Sequence, residues 1–167
     1  ESTPEKAGGR AEILKVVEET LGREIKEQLT TDYAIAIEAL VNDNAAFSWL
    51  GGEGYTQAHE KNNAILPLVV DSGKSGTLKD AKYYSMLGVL SENSPNYKSG
   101  KGYTIDNLEQ KRFSFVSNSS TSGFRVPSSV ISSYFAAKPS YKGLTSEDLL
   151  EGGSDYFSSK SELRGNS

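Results

Sequence analysis

Stretches with apolar residues three and four positions apart alternate along the chain with short, continuous apolar runs. The first pattern predicts an amphipathic helix, and the second predicts a strand buried in a sheet. The first helix begins at Thr3-Pro4 and ends before Gly22, because proline suits the first helical turn and glycine suits the position after the last. The other predicted helices or helical turns are Tyr33–Val41, Tyr55–Asn62, Ile105–Gln110, Gly123–Ala137 and one from Thr145 to Asp148.

The predicted strands alternate with these helices. They are Glu24–Leu29, Ala45–Leu50, Ile65–Val70, Tyr83–Leu90 and Arg112–Val116. Tyr83–Leu90 is strongly apolar without regular alternation, a pattern typical of a strand covered on both faces. Strands that alternate with helices predict an α/β fold whose sheet is built from βαβ units.

The charge and the composition exclude several classes of function. The 167 residues, close to one average domain, include 18 Lys and Arg against 22 Asp and Glu, which gives a formal net charge of -4. A groove for nucleic acid usually needs a basic domain, so nucleic acid is not an expected partner. Cysteine is absent and His59 is the single histidine, which excludes disulfides, thiolate zinc sites, cysteine nucleophiles and His-rich metal sites.

One strand-to-helix junction carries the strongest candidate chemistry. The apolar strand Arg112–Val116 leads into a row of hydroxyl residues, and a helix follows from Gly123. The first N–H groups of a helix point outward, and its dipole places about half a positive charge there. Ser120, Thr121 and Ser122 add hydroxyl donors, and Gly123 would let an anion approach the backbone closely. The junction therefore predicts a site for a tetrahedral oxyanion, with an ordinary Ser-rich helix cap as the alternative.

Aromatic residues near other strand ends are further candidates for ligand contact. A glycine-rich loop follows the strand that ends at Trp49-Leu50, and ligands in open α/β sheets bind beyond the carboxyl ends of the strands. Tyr55, Tyr83 and Tyr84 offer both a ring face and a hydroxyl group. Packing between helix and sheet is the alternative role of each ring.

The familiar catalytic and metal-binding motifs are missing from the sequence. Gly73-Lys74-Ser75 is similar to the end of a phosphate-binding P-loop, but Leu68 occupies the position of its first glycine. There is no Gly-x-Ser-x-Gly elbow and no Ser-x-x-Lys pair. His59 lies among polar residues, and Asp43 and Asp71 have no partner at metal-ligand spacing. We therefore expect no catalytic residue, no metal and no cofactor.

Three segments carry a resemblance to a known family. They are the segment from Thr31 to His59, Tyr83-Tyr84-Ser85, and Ser120-Thr-Ser-Gly-Phe-Arg-Val-Pro127. The third is similar to the Ser-Thr-Ser-Gly-Tyr/Phe-x-x-Pro signature of the substrate-binding proteins of phosphonate, phosphite and phosphate ABC importers. The chain resembles that family from about Thr3 to Leu150.

The resemblance implies a two-lobed α/β protein with the type II periplasmic-binding-protein fold, which closes on its ligand without catalysis. The ligand would be phosphonate, phosphite or phosphate, gripped by Ser120–Gly123. Tyr83 would line the cleft. Leu50 stands where the family has an aromatic residue, so that contact is either lost or taken over by Tyr55. The resemblance also implies a membrane permease of an ABC transporter as partner, and a periplasmic or extracellular location with anchoring at the cell surface.

An incomplete copy of the fold is also expected from the resemblance. Members start with an apolar strand and continue past this C-terminus, whereas this chain opens at Glu1-Ser2 without that strand or a signal segment. Residues 1–90 would belong to the first lobe, residues 91–157 to the second, and residues 158–167 would form a polar tail. Unpaired strand edges recruit other chains, so oligomers through such strands are expected.

Two other functions stay open at this point. Ser120 or Ser122 could be the nucleophile of a phosphoryl- or acyl-transfer enzyme, but the sequence supplies no base paired with either. Alternatively, the Ser-rich turn is only a helix cap in an interaction domain. Binding of a phosphonate without turnover would separate the binding protein from the enzyme. A melting temperature indifferent to anions would favour the interaction domain.

Overall fold

The first of two compact units, Glu1–Thr30, is built on one long helix; the second is Thr31–Ser167. The computed structural model describes residues 4–30, 32–150 and 155–156 of the chain. Helix α1 spans Pro4–Leu21 and ends at Gly22, whose φ of +64° lies in the left-handed region that glycine adopts readily. The predicted end of the first helix is confirmed.

The segment after α1 is held by the side chains of that helix. The N–H of Ile25 donates to Glu18 Oε1 at 2.8 Å, and Arg10 Nε pairs with Glu27 Oε1 at 3.0 Å. The prediction of a strand at Glu24–Leu29 is wrong, because a carboxylate of the preceding helix takes the N–H that a sheet partner would have needed.

The second unit combines helices with very short strands. The helices are α2 (Tyr33–Val41), α3 (Gly52–Lys61), α4 (Val126–Ala136) and α5 (Ser146–Leu149). A π-helical turn at Thr121–Arg125 precedes α4, and single 3-10 turns lie at Leu78–Asp80, Ser91–Tyr97, Asp106–Leu108 and Pro139–Tyr141. The strands are β1 (Lys98–Ser99), β2 (Gly102–Tyr103), β3 (Ser114–Phe115) and β4 (Asp155–Tyr156). Within the described residues, no helix is both long enough and apolar enough to cross a bilayer.

Local capping signals explain where two of the helices begin. Asp32 accepts a hydrogen bond from the N–H of Ala34 at 2.7 Å at the start of α2. Thr145 and Asp148 form a reciprocal capping box at the start of α5. The predicted starts of both helices are confirmed.

The strands form two separate pairs. Antiparallel β1 and β2 align Lys98 with Tyr103, and parallel β3 and β4 align Ser114 with Asp155. The predicted strand Arg112–Val116 is therefore reduced to two residues. The chain mixes helix and strand as predicted, while the two-lobed arrangement and its division at residue 90 stay predictions.

Three predicted strands are wrong: Ala45–Leu50, Ile65–Val70 and Tyr83–Leu90 have no strand structure. A strand is stabilised by a neighbour's backbone, and the described residues provide none for these segments. Leu68 and Met86 are each 86% exposed. Their apolar side chains predicted burial, but no other part of the described structure covers them. Pro67 also lies within Ile65–Val70 and removes an N–H from any ladder.

The main core lies beneath α4. Its buried members come from β3, α4, α5 and a 3-10 turn: Leu108, Phe115, Ile131, Phe135, Leu149 and Leu150. Phe115 meets Phe124 edge-on, with ring centroids 5.1 Å apart, so the core reaches the turn that begins α4. That contact fixes the N-terminal end of α4 against β3.

A polar network on the surface ties the C-terminal end of α4 to the Asp106–Leu108 turn. A hydrogen bond from Lys138 lowers the pKa of Asp106 from 3.8 to about 2, helped by hydrogen bonds from Thr104 and Tyr134. The same hydrogen bond to Asp106 raises the pKa of Lys138. The ammonium group also lies 5.1 Å from the centroids of the Tyr134 and Phe135 rings.

We expect this network to make the second unit sensitive to acid. Because the folded pKa of Asp106 is depressed, its contribution is present above the ordinary pKa and is lost as pH falls from about 4 to about 2. In thermal melts over this range, the melting temperature of Asp106→Asn should fall less with decreasing pH than that of the wild type. Asp71→Asn, at an exposed site, is the control. Parallel curves for the wild type and Asp106→Asn would contradict the role of the network.

The exposed extended segments at 65–70 and 83–90 predict self-association. Sedimentation velocity at increasing protein concentration should reveal oligomers of the wild type, because exposed apolar chain with free backbone groups recruits other chains. The double variant Leu68→Lys, Met86→Lys places charge at the two most exposed apolar positions and should shift the population to monomer. A wild-type monomer at all concentrations would refute the prediction.

Candidate functional site

The Ser-rich turn begins as a helix cap. Ser120 lies in extended backbone, and its Oγ accepts a hydrogen bond from the N–H of Gly123 at 3.1 Å. Its own N–H donates to the carbonyl of Ser117 at 3.0 Å. Ser120 is only 5% exposed. Because Oγ accepts in the capping bond, its O–H proton can still donate, and contact between Ser120 and an anion stays a prediction.

A π-helical turn widens the start of the helix. The N–H groups of Phe124 and Arg125 both donate to the carbonyl of Ser120, at 3.1 and 3.0 Å. The N–H groups of Thr121 and Ser122 precede the first possible intrahelical bond, so they are the groups left for an outside acceptor. Both residues are partly open to solvent. Single π-helical turns are often found at functional sites.

Gly123 is required by packing on the inner side of this turn. A Cβ at this position would lie 2.6 Å from Val116 Cβ and Cγ2 and 2.8 Å from Ser120 Oγ. The carbonyl of Gly123 also accepts the N–H of Val116 at 3.2 Å. The missing Cβ lets Val116 lie against Gly123, while the close approach of an anion to Gly123 stays a prediction.

Thr121 caps a second helix. Its Oγ1 accepts the N–H of Glu53, in the first turn of α3, at 2.9 Å, across 68 positions of sequence. The N-cap residue of α3 is Gly51, which has no side chain for the purpose. A Cβ on Gly51 would lie 3.1 Å from Thr121 Oγ1, so glycine permits the close approach. This cap explains why α3 begins at Gly52, three residues before the predicted start at Tyr55.

Two helix N-termini therefore meet at one hydroxyl group. The dipoles of α3 and of the helix after Ser120 both direct their positive ends to this place. Glu53 partly offsets that charge, and Arg125 Nε lies 3.5 Å from Glu53 Oε2. By position, the N–H groups of Gly52, Gly54, Thr121 and Ser122 precede the first intrahelical bonds of the two helices. The arrangement suits an anion that accepts several hydrogen bonds at once.

A third segment reaches the turn through Ser85. Its Oγ donates to the carbonyl of Ser122 at 2.6 Å. Tyr83 precedes Ser85 by two residues and is 69% exposed. The structure thus brings the segment of Tyr83 to the Ser-rich turn, while contact between the Tyr83 ring and a ligand stays a prediction.

Tyr55 lies on α3, within its first turn and a half. Its ring stacks on the ring of His59, one turn further along, with centroids 5.7 Å apart. His59 Nδ1 lies 2.8 Å from the carbonyl oxygen of Ile65, which fixes the imidazole. A role for Tyr55 in ligand contact also stays a prediction. Within the described residues, no group of three or more His, Cys, Asp and Glu side chains could hold a metal ion.

The sequence reasoning missed four residues that support the site: Glu53, Gln57, Ser85 and Ser119. Their polar groups join α3 and the 83–85 segment to the Ser-rich turn. The sequence did contain a signal for the start of α3, because Gly51-Gly52-Glu53 directly before a polar helix is typical of a helix N-terminus. The pairing of the two N-termini is a long-range contact that no local pattern encodes.

We expect Gly123→Ala to destabilise the protein. Its methyl group must displace Val116, so the free energy of unfolding should fall by about 1–3 kcal/mol, a typical cost of overpacking. Urea titrations followed by circular dichroism give the value. Gly88→Ala is the matched control, because a Cβ at Gly88 meets nothing within 4 Å. Equal effects of the two substitutions would contradict the packing role.

A family model described as the periplasmic substrate-binding protein of phosphonate ABC transporters matches residues 3–150. The match includes helices α1 to α5, the segment 83–85 and the Ser-rich turn. No curated protein and no solved structure matched the chain. Because the family match covers far more than half of the 167 residues, the chain belongs to the phosphonate ABC transporter family of periplasmic substrate-binding proteins.

Proposed function

We propose that this protein binds a phosphorus oxyanion, a phosphonate or the related phosphite or phosphate, at the Ser-rich turn. The observation that carries the proposal is the bond between Thr121 Oγ1 and the N–H of Glu53, which brings two helix N-termini together. Membership of a family that binds phosphonates is the second support.

The donors at the turn suit the chemistry of such a ligand. A phosphonate or phosphate group presents three or more oxygens that accept hydrogen bonds. Thr121 Oγ1 uses a lone pair for the N–H of Glu53, so its O–H proton remains able to donate. The N–H groups of Thr121, Ser122 and Gly52 complete a set of donors on one side of the ligand. Tyr55 and Tyr83 would contact the organic substituent.

The protein binds without turnover in this proposal. Ser120, a candidate nucleophile, is buried and already accepts an N–H. His59, the single histidine, has Nδ1 beside the carbonyl of Ile65, and its ring is stacked on Tyr55. A serine nucleophile needs a base in hydrogen-bond reach, and these contacts argue against one. The family consists of substrate-binding proteins, which agrees with binding alone.

Partner and location follow from the family. Its members are periplasmic components of ABC transporters. We propose that the bound oxyanion is handed to the membrane permease of such a transporter. Closure of two lobes on the ligand, with the protein anchored at the cell surface, belongs to the same proposal.

Thr121→Ala should weaken ligand binding by about ten- to a hundredfold, because a hydrogen bond to a charged group contributes about 1.5–3 kcal/mol. Isothermal titration calorimetry with methylphosphonate, phosphite and phosphate measures the change. Thr121→Ser keeps the hydroxyl group and should retain most of the affinity. Equal binding by Thr121→Ala and the wild type would place the ligand elsewhere.

A thermal-shift screen tests the class of ligand. A ligand at a hundred times its dissociation constant stabilises the folded state by about 2.7 kcal/mol, which raises the melting temperature visibly. Methylphosphonate, phosphite or phosphate should do so, and sulfate at equal ionic strength is the control for general salt effects. A melting temperature that responds equally to all four anions would favour an interaction domain with a simple helix cap.

A further inference from the structure

The carboxamide of Gln57 makes three hydrogen bonds that join α3 to the residues just before the ligand turn. Its Oε1 accepts the hydroxyl proton of Ser119 at 2.7 Å. Its Nε2 donates to Glu53 Oε1 at 3.1 Å and to the carbonyl of Asn118 at 3.3 Å. One planar group thus contacts its own helix and two consecutive residues that lie 61 and 62 positions later.

These bonds fix the orientation of the carboxamide. Its oxygen and its nitrogen cannot exchange places, because the nitrogen faces two acceptors and the oxygen faces a hydroxyl donor. Ser119 is 5% exposed, so its hydroxyl group has little access to water as a substitute partner. Loss of this bond would leave the hydroxyl group with only the longer contact to Asn118 Oδ1, at 3.4 Å, a weaker hydrogen bond.

Gln57 and Glu53 act one helical turn apart on the same face of α3. The N–H of Glu53 holds Thr121, and the Gln57 side chain holds Asn118 and Ser119. Two attachments one turn apart set both the position and the direction of the Ser-rich turn along the helix. Ser85 and Val116 hold the turn from other sides, at the carbonyls of Ser122 and Gly123, so the Gln57 bonds are its second attachment to α3 itself.

We infer that Gln57 is a positioning residue for the oxyanion site, acting through Ser119 and Asn118 and not by touching the ligand. The inference rests on the proposed function, since the site it positions is the one proposed above. Its consequence is that the donors of Thr121 and Ser122 converge on one ligand only while the Gln57 bonds hold the preceding residues.

Substitutions at Gln57 separate positioning from simple stability. Gln57→Ala removes all three bonds and should weaken methylphosphonate binding by about tenfold, because misplaced donors lose alignment with the ligand. Glu60→Ala, at an exposed position on the same helix, should leave the affinity unchanged. The titrations are carried out below the melting temperature of each variant, so the affinity is that of folded protein. Unchanged affinity of folded Gln57→Ala would overturn the inference and leave the proposed function intact.

The pH dependence of binding by Gln57→Glu is a further test, because a purely structural role of Gln57 would not change it. The new carboxylate can still accept from Ser119, but it faces Glu53 Oε1 and the carbonyl of Asn118 without a proton to donate. Arg125, paired with the other oxygen of Glu53, is the single cation at this cluster among the described residues. The like charge of Glu53 raises the pKa of the introduced carboxylate, and its protonation restores a donor, so the affinity deficit relative to wild type should be about tenfold at pH 8 and smaller at pH 5. A deficit independent of pH would contradict the role of the Nε2 donors.

Amide hydrogen exchange of the ligand-free protein tests the positioning itself. Gln57→Ala should speed exchange at Ser119, Ser120 and Glu53 by about tenfold while Ile131, in the core of α4, exchanges as before. Unchanged exchange at the turn would overturn the inference whatever the ligand data. If the wild type binds none of the three phosphorus oxyanions, the proposed function and the ligand role of Gln57 fall together.

Discussion

The hydrogen bond between Thr121 Oγ1 and the N–H of Glu53 is the constraint on which the rest of the site depends. A glycine N-cap leaves α3 without a capping side chain of its own, which costs a helix roughly a few tenths of a kcal/mol relative to a Ser or Asp cap. Thr121 supplies a capping side chain from the beginning of another helix. The same bond therefore stabilises α3 and sets the distance between the two positive helix ends. The ion pair of Glu53 with Arg125 and the bonds of Gln57 lie within one turn of it.

The hydrophobic core beneath α4 holds the Ser-rich turn in place. Phe115 and Phe124 meet edge-on directly under the Ser-rich turn, and Gly123 admits the side chain of Val116 against the backbone. The inner side of the turn is thus closely packed, whereas the N–H groups of Thr121 and Ser122 precede the first intrahelical bond. In the proposed function, a ligand would be held by a turn whose backbone is already fixed by packing.

Helices were predictable from the sequence because their signals are local. Asp32 and the Thr145–Asp148 box lie next to the helices that they start, and Gly22 ends α1 where expected. The strands predicted at Ile65–Val70 and Tyr83–Leu90 are absent from the structure, because an apolar run does not specify the neighbouring strand with which it must pair. The Ser-rich junction was recognisable from its own residues, whereas its attachment to α3 depends on residues more than sixty positions away. The sequence therefore predicted the Ser-rich junction but not the long-range contacts that position it.

The long sequence separation of the Thr121–Glu53 bond has a consequence for how the chain acquires its structure. During synthesis, the residues of α3 leave the ribosome well before Thr121, so the first turn of that helix is completed without its cap. Closing a loop of 68 residues costs chain entropy, which only the later contacts of the Ser-rich turn and the α4 core can offset. The junction of α3 with the Ser-rich turn is consequently among the last parts to become ordered. A chain released before residue 121 carries α3 without the Thr121 cap, and hence without the junction to which the proposed function assigns the ligand.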